Sequence, residues 1–320
     1  ITKSAGTDAT KLQGHFNNNG TIIVNSGEIW LGHGNGTGTS TGDFEASAGA
    51  ILGVSGNNTM TGASSFTGDG GLTYHGGGTT VIQGGYGLQG TLGVKLGKLS
   101  FANSVTIEDD VTVTGGTLEY LLGSSINADV YLTSGELIAA ASLSISGALQ
   151  QSNGTMKGVG TVTVAGLFTW TGGSQSESGV TVANGGMQLS GGIHHLNART
   201  LTLNGASTYS GGGLRLMNSG TINFDSPFSI ETDEDIYHYT GTLSTLNFNS
   251  TITKSAGSDV TKLEGHFNND GTIAVNSGEI WLGRGTGIGT STGAFEVAAG
   301  ATLGVSGNNT MTGVSSFTGN

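Results

Sequence analysis

The sequence has no cysteine and one proline, and only 10% of its 320 residues are charged. Without cysteine the chain forms no disulfide and has no catalytic thiol or zinc–thiolate site. Its formal charge is −12, and Lys and Arg do not cluster, which argues against a nucleic-acid-binding surface because phosphates must be neutralised by grouped cations. No apolar run approaches the ~18 residues of a membrane span.

What the chain has instead is glycine, with 61 residues, and a hydrophobic share of 35%. Collagen would need abundant proline, and a disordered linker would lack so many Val, Ile, Leu and Phe residues. Ser, Thr and Asn make up much of the rest, a composition that favours strands and turns over helices. The composition therefore predicts an all-β protein.

A long repeat organises the sequence. Residues 1–69 align without a gap to residues 252–320, and the two copies differ at 14 of 69 positions. We interpret residues 1–251 as one complete repeat unit and residues 252–320 as the start of the next, near-identical unit. Such an arrangement is typical of a slice from a longer tandem array.

The substitutions between the copies indicate which side chains face inward. Asn19/Asp270 and Asp43/Ala294 change charge, so these positions are predicted to lie outside. Six apolar positions stay the same and alternate with polar or variable ones, the period-two pattern of a strand with one buried face. They are Phe16/Phe267, Ile22/Ile273, Val24/Val275, Ile29/Ile280, Leu31/Leu282 and Leu52/Leu303.

Within the unit, strand-like segments of about three to five residues recur between Gly, Asn or Ser turns, as in "GTIIVNSG" and "GTVTVAG". Antiparallel sandwiches and parallel β-helices both use short strands. Sandwich strands are longer and come in domain-sized groups, so we favour the β-helix, a solenoid with coils of roughly 20 residues. At ~4.8 Å per coil, one unit would hold about a dozen coils and extend roughly 60 Å.

One segment, residues 223–250, breaks this rhythm with Pro227 and the acidic run Glu231–Asp235. We interpret it as an irregular acidic insertion, either an exposed loop or a lateral insertion at the join between units. The alternative is a calcium site, since carboxylates are hard oxygen ligands, although neither the EF-hand spacing nor the calcium-binding nonapeptide occurs. The candidate ligands are Asp225, Glu231, Asp233, Glu234 and Asp235.

Several phrases of the sequence resemble those of large repetitive bacterial surface proteins of the β-strand-repeat or filamentous-haemagglutinin-like adhesin type. The phrases are "F-N-x-G-T" at 16–21, "x-V-x-S-G" ending at 27, "G-x-F-x-x-A-x-G-A-x-L" at 42–52 and "F-x-G-x-G" at 66–70. The resemblance implies a right-handed parallel β-helix that is secreted and displayed at the cell surface. The acidic, proline-containing insertion departs from the pattern of a featureless rod.

Candidates for chemistry are few. Asp109 and Asp110 could form an acid pair, as in β-helical polysaccharide lyases and hydrolases, but a basic partner is scarce and a solvated pair is favoured. His194 and His195 are adjacent, so in a strand they would point to opposite faces, and an exposed turn is favoured over a metal site. His15 and His266 are assigned to turns or ladders. The glycine-rich string 32–42 leads into a strand and not into the helix that a phosphate loop requires.

The tryptophans are the candidate contact residues. Trp30 and its repeat Trp281 lie between Ile and Leu in "EIWL", on the face opposite those core residues. Trp30, Trp281 and Trp170 would stack on sugar rings if exposed, and the alternative for them is packing under a loop. We therefore single out Trp30 and Trp281 as contacts for a glycan or a neighbouring rod.

The sequence predicts a structural, non-enzymatic module of an extracellular bacterial fibre or giant surface adhesin, with no catalytic residue and no cofactor unless calcium binds. Expected partners are identical units end to end and neighbouring rods, with surface glycans as candidates. The alternatives are a polysaccharide lyase or hydrolase, and a glycan- or ice-binding surface with outward Thr or aromatic rows.

Overall fold

The computed structural model describes residues 1–33, 36–283 and 287–319. The chain divides into two compact units, Ile1–Val162 and Thr163–Asn320. Both are parallel β-solenoids, and the chain has about 16 turns in total. No helix occurs among the described residues. The predicted all-β, parallel β-helical class is confirmed.

Short strands make up unit 1. They are β1 (Thr2–Lys3), β2 (Ala9–Gln13), β3 (Thr21–Val24), β4 (Glu28–His33), β5 (Thr37–Ser40), β6 (Asp43–Ala46), β7 (Ile51–Val54), β8 (Asn57–Met60), β9 (Ser65–Gly68), β10 (Gly71–Tyr74), β11 (Thr79–Ile82), β12 (Gly85–Leu88), β13 (Leu92–Val94), β14 (Lys98–Phe101), β15 (Thr106–Ile107), β16 (Val111–Tyr120), β17 (Ser124–Ile126), β18 (Val130–Ala139), β19 (Leu143–Ile145), β20 (Leu149–Gln151), β21 (Thr155–Lys157) and β22 (Thr161–Val164), within which the division between units falls.

Unit 2 continues with strands of the same kind. They are β23 (Phe168–Trp170), β24 (Gly173–Ser176), β25 (Val180–Ala183), β26 (Met187–Leu189), β27 (His194–Asn197), β28 (Thr200–Leu203), β29 (Ser207–Tyr209), β30 (Leu214–Met217), β31 (Thr221–Phe224), β32 (Phe228–Ile230), β33 (Ile236–Thr240), β34 (Thr245–Phe248), β35 (Thr251–Lys254), β36 (Val260–Leu263), β37 (His266–Asn269), β38 (Thr272–Val275), β39 (Glu279–Leu282), β40 (Ile288–Ser291), β41 (Ala294–Val297), β42 (Thr302–Val305), β43 (Asn308–Met311) and β44 (Ser316–Gly319).

Strands pair with the strand one coil away, about 20 residues along the chain. In unit 2 one ladder is β25-β28-β31-β34-β37-β40-β43, and every described pair within it is parallel. In unit 1, β3, β6, β9 and β12 form one ladder while β4, β7, β10 and β13 form another. Parallel pairing throughout the described strands excludes the antiparallel sandwich for both units.

The period-two pattern explains why these segments form strands. In β3, Ile22 and Val24 are buried, while Thr21 and Ile23, which alternate with them, face outward and are partly exposed. Successive coils place like residues in register, so that Ile22 pairs with Phe44, and Phe44 with Phe66. The rings of Phe44 and Phe66 stack with centroids 4.7 Å apart. Each coil therefore buries its inward side chains against those of its neighbours.

Glycine at the turns meets a steric need. Gly27 has a φ of +62°, and a Cβ built on it would lie 2.5 Å from the carbonyl oxygen of Gly6 in the preceding coil. The same position in the second copy, Gly278, has a φ of +60°. A side chain at either site would meet both backbone strain and the adjacent coil.

Candidate functional site

Trp30 lies on the outer face of β4 and is bracketed by three side chains. The Lys11 Nζ is 4.7 Å from the indole centroid, and the His75 ring centroid is 3.9 Å from it. The indole Nε1 donates a 2.5 Å hydrogen bond to Glu28 Oε2. The ring passes over Gly53, where an added Cβ would lie 2.6 Å from Trp30 Cδ1. Trp30 is therefore outward, as predicted, but only half-exposed.

Trp281, the equivalent residue in β39, is more open at 40% exposure. Its Nε1 donates to Glu279, and its ring lies over Gly304, whose added Cβ would be 2.9 Å from the indole. Lys262, which corresponds to Lys11, is paired with Asp235 at 3.2 Å.

Trp170 is fully buried in β23, and its Nε1 donates to the carbonyl oxygen of Gly172 at 2.9 Å. A sugar-stacking role for it is excluded by this burial. His194 is also fully buried, with its ring edge-on to Trp170 and Nε2 bonded to the Trp170 carbonyl oxygen at 3.0 Å. Burial lowers the pKa of His194.

The expectation of an exposed turn at His194 and His195 is wrong, because both lie in β27. They do point to opposite faces, with His194 inside and His195 partly exposed. The buried position of the His194 ring could not be predicted from the sequence, because the carbonyl oxygen that accepts its hydrogen bond belongs to Trp170 in another coil.

The acidic segment 223–250 contains three strands, β32, β33 and β34, each paired in parallel with strands of other coils. Within it, Asp233 Oδ1 lies 2.7 Å from Nζ of Lys254, whose side chain is fully buried. The ammonium group also donates to the Thr232 carbonyl oxygen at 2.9 Å and to Thr261 Oγ1 at 2.8 Å. The hydrogen bond from Lys254 holds the pKa of Asp233 below its usual range.

Asp235 binds the next coil in a similar way. Its Oδ1 accepts from the Lys262 amide at 2.7 Å, and its Oδ2 lies 3.2 Å from Lys262 Nζ. Asp225 accepts from Asn249 at 2.6 Å, and Glu231 accepts from Ser229 at 3.3 Å. Among the described residues, no group of three or more His, Asp or Glu side chains is placed to hold a metal ion. The calcium interpretation stays a prediction.

Asp109 and Asp110 lie in the bend before β16. The Asp109 carboxylate accepts from the Asp110 amide at 2.8 Å, and the Asp110 carboxylate accepts from the Asp129 amide of the next coil at 3.1 Å. Asp129 in turn accepts from the Ala148 amide at 2.7 Å. Asp109 thus caps its own bend, while Asp110 and Asp129 bind turn amides of the following coil.

His15 and His266 also bind the adjacent coil. His15 Nδ1 accepts from the Thr37 amide at 3.0 Å, and His266 Nδ1 accepts from the Ile288 amide at 3.1 Å. The copies thus keep one interaction although Thr37 and Ile288 differ. The glycine-rich string 32–42 contains β5, and its residues Gly34 and Asn35 lie outside the described ones.

A hydrogen-bonded ladder of amides follows the outer face of unit 2. Asn223 donates to Thr202 at 3.1 Å, Asn247 donates to Asn223 at 2.7 Å, and Asn268 donates to Asn247 at 2.8 Å. Thr290 Oγ1 then donates to Asn268 at 2.9 Å. Each coil is thereby joined to the next by side chains as well as by backbone.

Sequence reasoning missed a cationic and aromatic cluster on the outer face of β30 and β33. Arg215 lies in register between His195 and Tyr237. Its Nε donates to the Tyr237 hydroxyl at 2.7 Å, and its Cζ is 4.7 Å from the ring centroid of Tyr239. The "IYHYT" string is a visible aromatic signal, but its proximity to Arg215 depends on coil register.

No protein-family model, curated protein or solved structure matches this chain. Within the described residues, no helix is long and apolar enough to cross a membrane.

Proposed function

We propose that this chain is a structural, non-enzymatic module of an extracellular bacterial fibre or large surface adhesin. In this role it lengthens and stiffens the fibre, and it holds other parts of the assembly away from the cell. The parallel solenoid fold supports the proposal, because stacked coils add length without requiring new surface chemistry. An acidic exterior rich in Gly, Ser and Thr would keep such a module soluble.

The observation that carries the proposal is that corresponding strands of the two sequence copies pair in the same way. Ile22 pairs with Phe44 in unit 1, and Ile273 pairs with Phe295 in unit 2. Each copy thus forms the same parallel ladder, although the copies differ at outward positions. A repeated unit would therefore lengthen a solenoid by the same increment each time.

The test compares chains that carry one, two and three 251-residue units. We expect the longest dimension, measured by small-angle X-ray scattering and electron microscopy, to rise by about 60 Å per unit at constant width. Globular particles, or beads that reorient freely about each junction, would refute the rod.

Extracellular display and end-to-end contact between units belong to the same proposal. Lyase and hydrolase assays on uronate polymers test the enzymatic alternative, with turnover as the result that would overturn the structural role. Ice recrystallisation assays test the Thr and Asn rows of the outer face.

Trp30 and Trp281 both lie outward over a glycine, Gly53 and Gly304 respectively. We propose both as contacts for a glycan or a neighbouring rod. Trp30→Ala and Trp281→Ala should each weaken that contact, measured by glycan binding and by association of the purified chain. Unchanged binding and association in both variants would contradict the proposal.

A further inference from the structure

Among the described residues, Arg215 has no acidic partner, although the chain is strongly acidic. The ion pairs formed within the described residues involve Lys98, Lys157, Lys254 and Lys262, and Arg215 takes part in none of them. Its Nε is bonded to Tyr237, and the two Nη groups make no hydrogen bond within the described part of the chain. The guanidinium is thus oriented by phenol rings while its paired donors remain available for an anion.

A β-bulge presents the second tyrosine. Leu216 pairs with His238 and Met217 pairs with Thr240, so Tyr239 is the extra residue without a partner on β30. On its other side β33 pairs with β36 only through Ile236. Tyr239 is 55% exposed, and bulges commonly redirect a side chain in this way at binding surfaces.

The three side chains form one surface. The ring of Tyr237 is edge-on to that of Tyr239 with centroids 6.4 Å apart, and the guanidinium lies against one face of Tyr239. His195 borders the cluster on the preceding strand, and burial together with Arg215 lowers its pKa. His195 is therefore neutral at pH 7 and offers a hydrogen bond rather than a second charge.

This chemistry selects a ligand class. A guanidinium with two available Nη groups matches the planar geometry of a carboxylate, which it can bind through two parallel hydrogen bonds. An exposed phenol ring offers an apolar face on which a sugar ring can pack while its hydroxyls stay hydrated. A polymer with one carboxylate per sugar would satisfy both features at neighbouring residues.

We propose that Arg215, Tyr237 and Tyr239 form a binding site for a carboxylated polysaccharide of the polyuronate class. Arg215 binds the carboxylate of one sugar, and the uncovered face of Tyr239 packs against an adjacent one. The site adds a ligand to the rod and does not depend on the structural role proposed above.

The test is calorimetric titration of the chain with oligogalacturonate at physiological salt. Arg215→Gln should weaken binding by about tenfold or more, the effect of losing a charge-assisted hydrogen-bonded pair. Tyr239→Ala should weaken binding several-fold. Because Tyr239 is exposed, this variant should keep the fold, and circular dichroism checks that it does. Lys95→Gln, which removes an exposed cation elsewhere, is the matched control and should leave affinity unchanged.

Two further ligands separate the contribution of the carboxylate from that of the sugar ring. A neutral galactan tests the carboxylate, and polyglutamate tests the sugar ring; both should bind at least tenfold more weakly than oligogalacturonate. The proposal is overturned if the unaltered chain does not bind oligogalacturonate, if Arg215→Gln has no effect, or if Lys95→Gln costs as much. Equal binding of polyglutamate would show a general carboxylate site and would overturn the polysaccharide assignment.

Discussion

Replacing either member of the Lys254–Asp233 ion pair should have unequal consequences for unit 2. Asp233→Asn removes the negative charge and leaves Lys254, which is fully buried, facing only neutral oxygen atoms. Lys254→Met removes the buried charge itself and puts an apolar chain of similar length in its place. We therefore expect Asp233→Asn to destabilise the fold more than Lys254→Met does.

The magnitude follows from burial. Breaking a fully buried pair by removing one partner costs about 3–5 kcal/mol. The Asp233 side chain is 34% exposed, and Lys254 keeps two neutral acceptors, so solvent screening reduces the expected cost to about 2 kcal/mol. For Lys254→Met we expect about 1 kcal/mol or less, because no buried charge is left behind.

Urea unfolding followed by fluorescence of Trp281, which lies on the strand next to β36, measures the difference. Hydrogen exchange at amides of β35 and β36 gives the local opening energy, which suits a solenoid whose coils contribute separately. Glu296→Gln, an exposed carboxylate in the same unit, is the control and should stay within about 0.5 kcal/mol of the unaltered chain. The reasoning fails if Lys254→Met is the more destabilising change.

The same pair predicts a pH dependence. The pKa of Asp233 is lowered in the folded chain, so its contribution is fully present above the unfolded value of about 3.9. That contribution is lost as the pH falls through the lower folded pKa. The unfolding free energy of unit 2 should therefore decline more steeply below about pH 4 in the unaltered chain than in Lys254→Met. Parallel curves would show that the pair is not responsible.

Three further changes follow from the packing. Asn247→Ala should cost about 1–2 kcal/mol in urea unfolding, because it breaks two bonds of the amide ladder; a loss within error would mean that water replaces them. Gly53→Ala should displace Trp30 and shift its fluorescence to longer wavelength, and an unchanged spectrum would contradict the close contact. Phe66→Ala should cost about 3–5 kcal/mol while Phe317→Ala costs less than about 1 kcal/mol, as their burial differs; equal losses would refute that account.

The sequence predicts the class of fold because the signal is local. Alternation at Ile22 and Val24, with glycine at Gly27, specifies a short strand and a tight turn without reference to any distant residue. Outward positions such as Asp43 change between copies while most inward ones persist, with Ala46/Val297 as an exception, so the buried face can also be predicted.

The surface chemistry could not be predicted in the same way, because it depends on which residues stack one coil apart. Lys254 stands two residues after the buried Ile252, on the inward side of β35. Its charge is accommodated there by acceptors such as Asp233, 21 residues earlier in the adjacent coil, which the sequence alone does not place beside it. Arg215 meets Tyr237 at a separation of 22 residues, and the bulge that exposes Tyr239 shifts the register just after that pair, between Leu216 and Met217. Coil lengths vary, so sequence spacing alone does not fix these contacts.

The two copies show what a neighbouring coil contributes to an unchanged side chain. Phe66 is fully buried in unit 1, where Tyr86 on β12 lies 6.1 Å from its ring, while Phe317 in β44 is 59% exposed. Phe267 is fully buried beside β34, whereas Phe16 is only half-buried. Identical residues thus gain or lose burial according to the coil stacked on them. Because that burial is the main stabilising term of a solenoid, each added coil stabilises the coil before it.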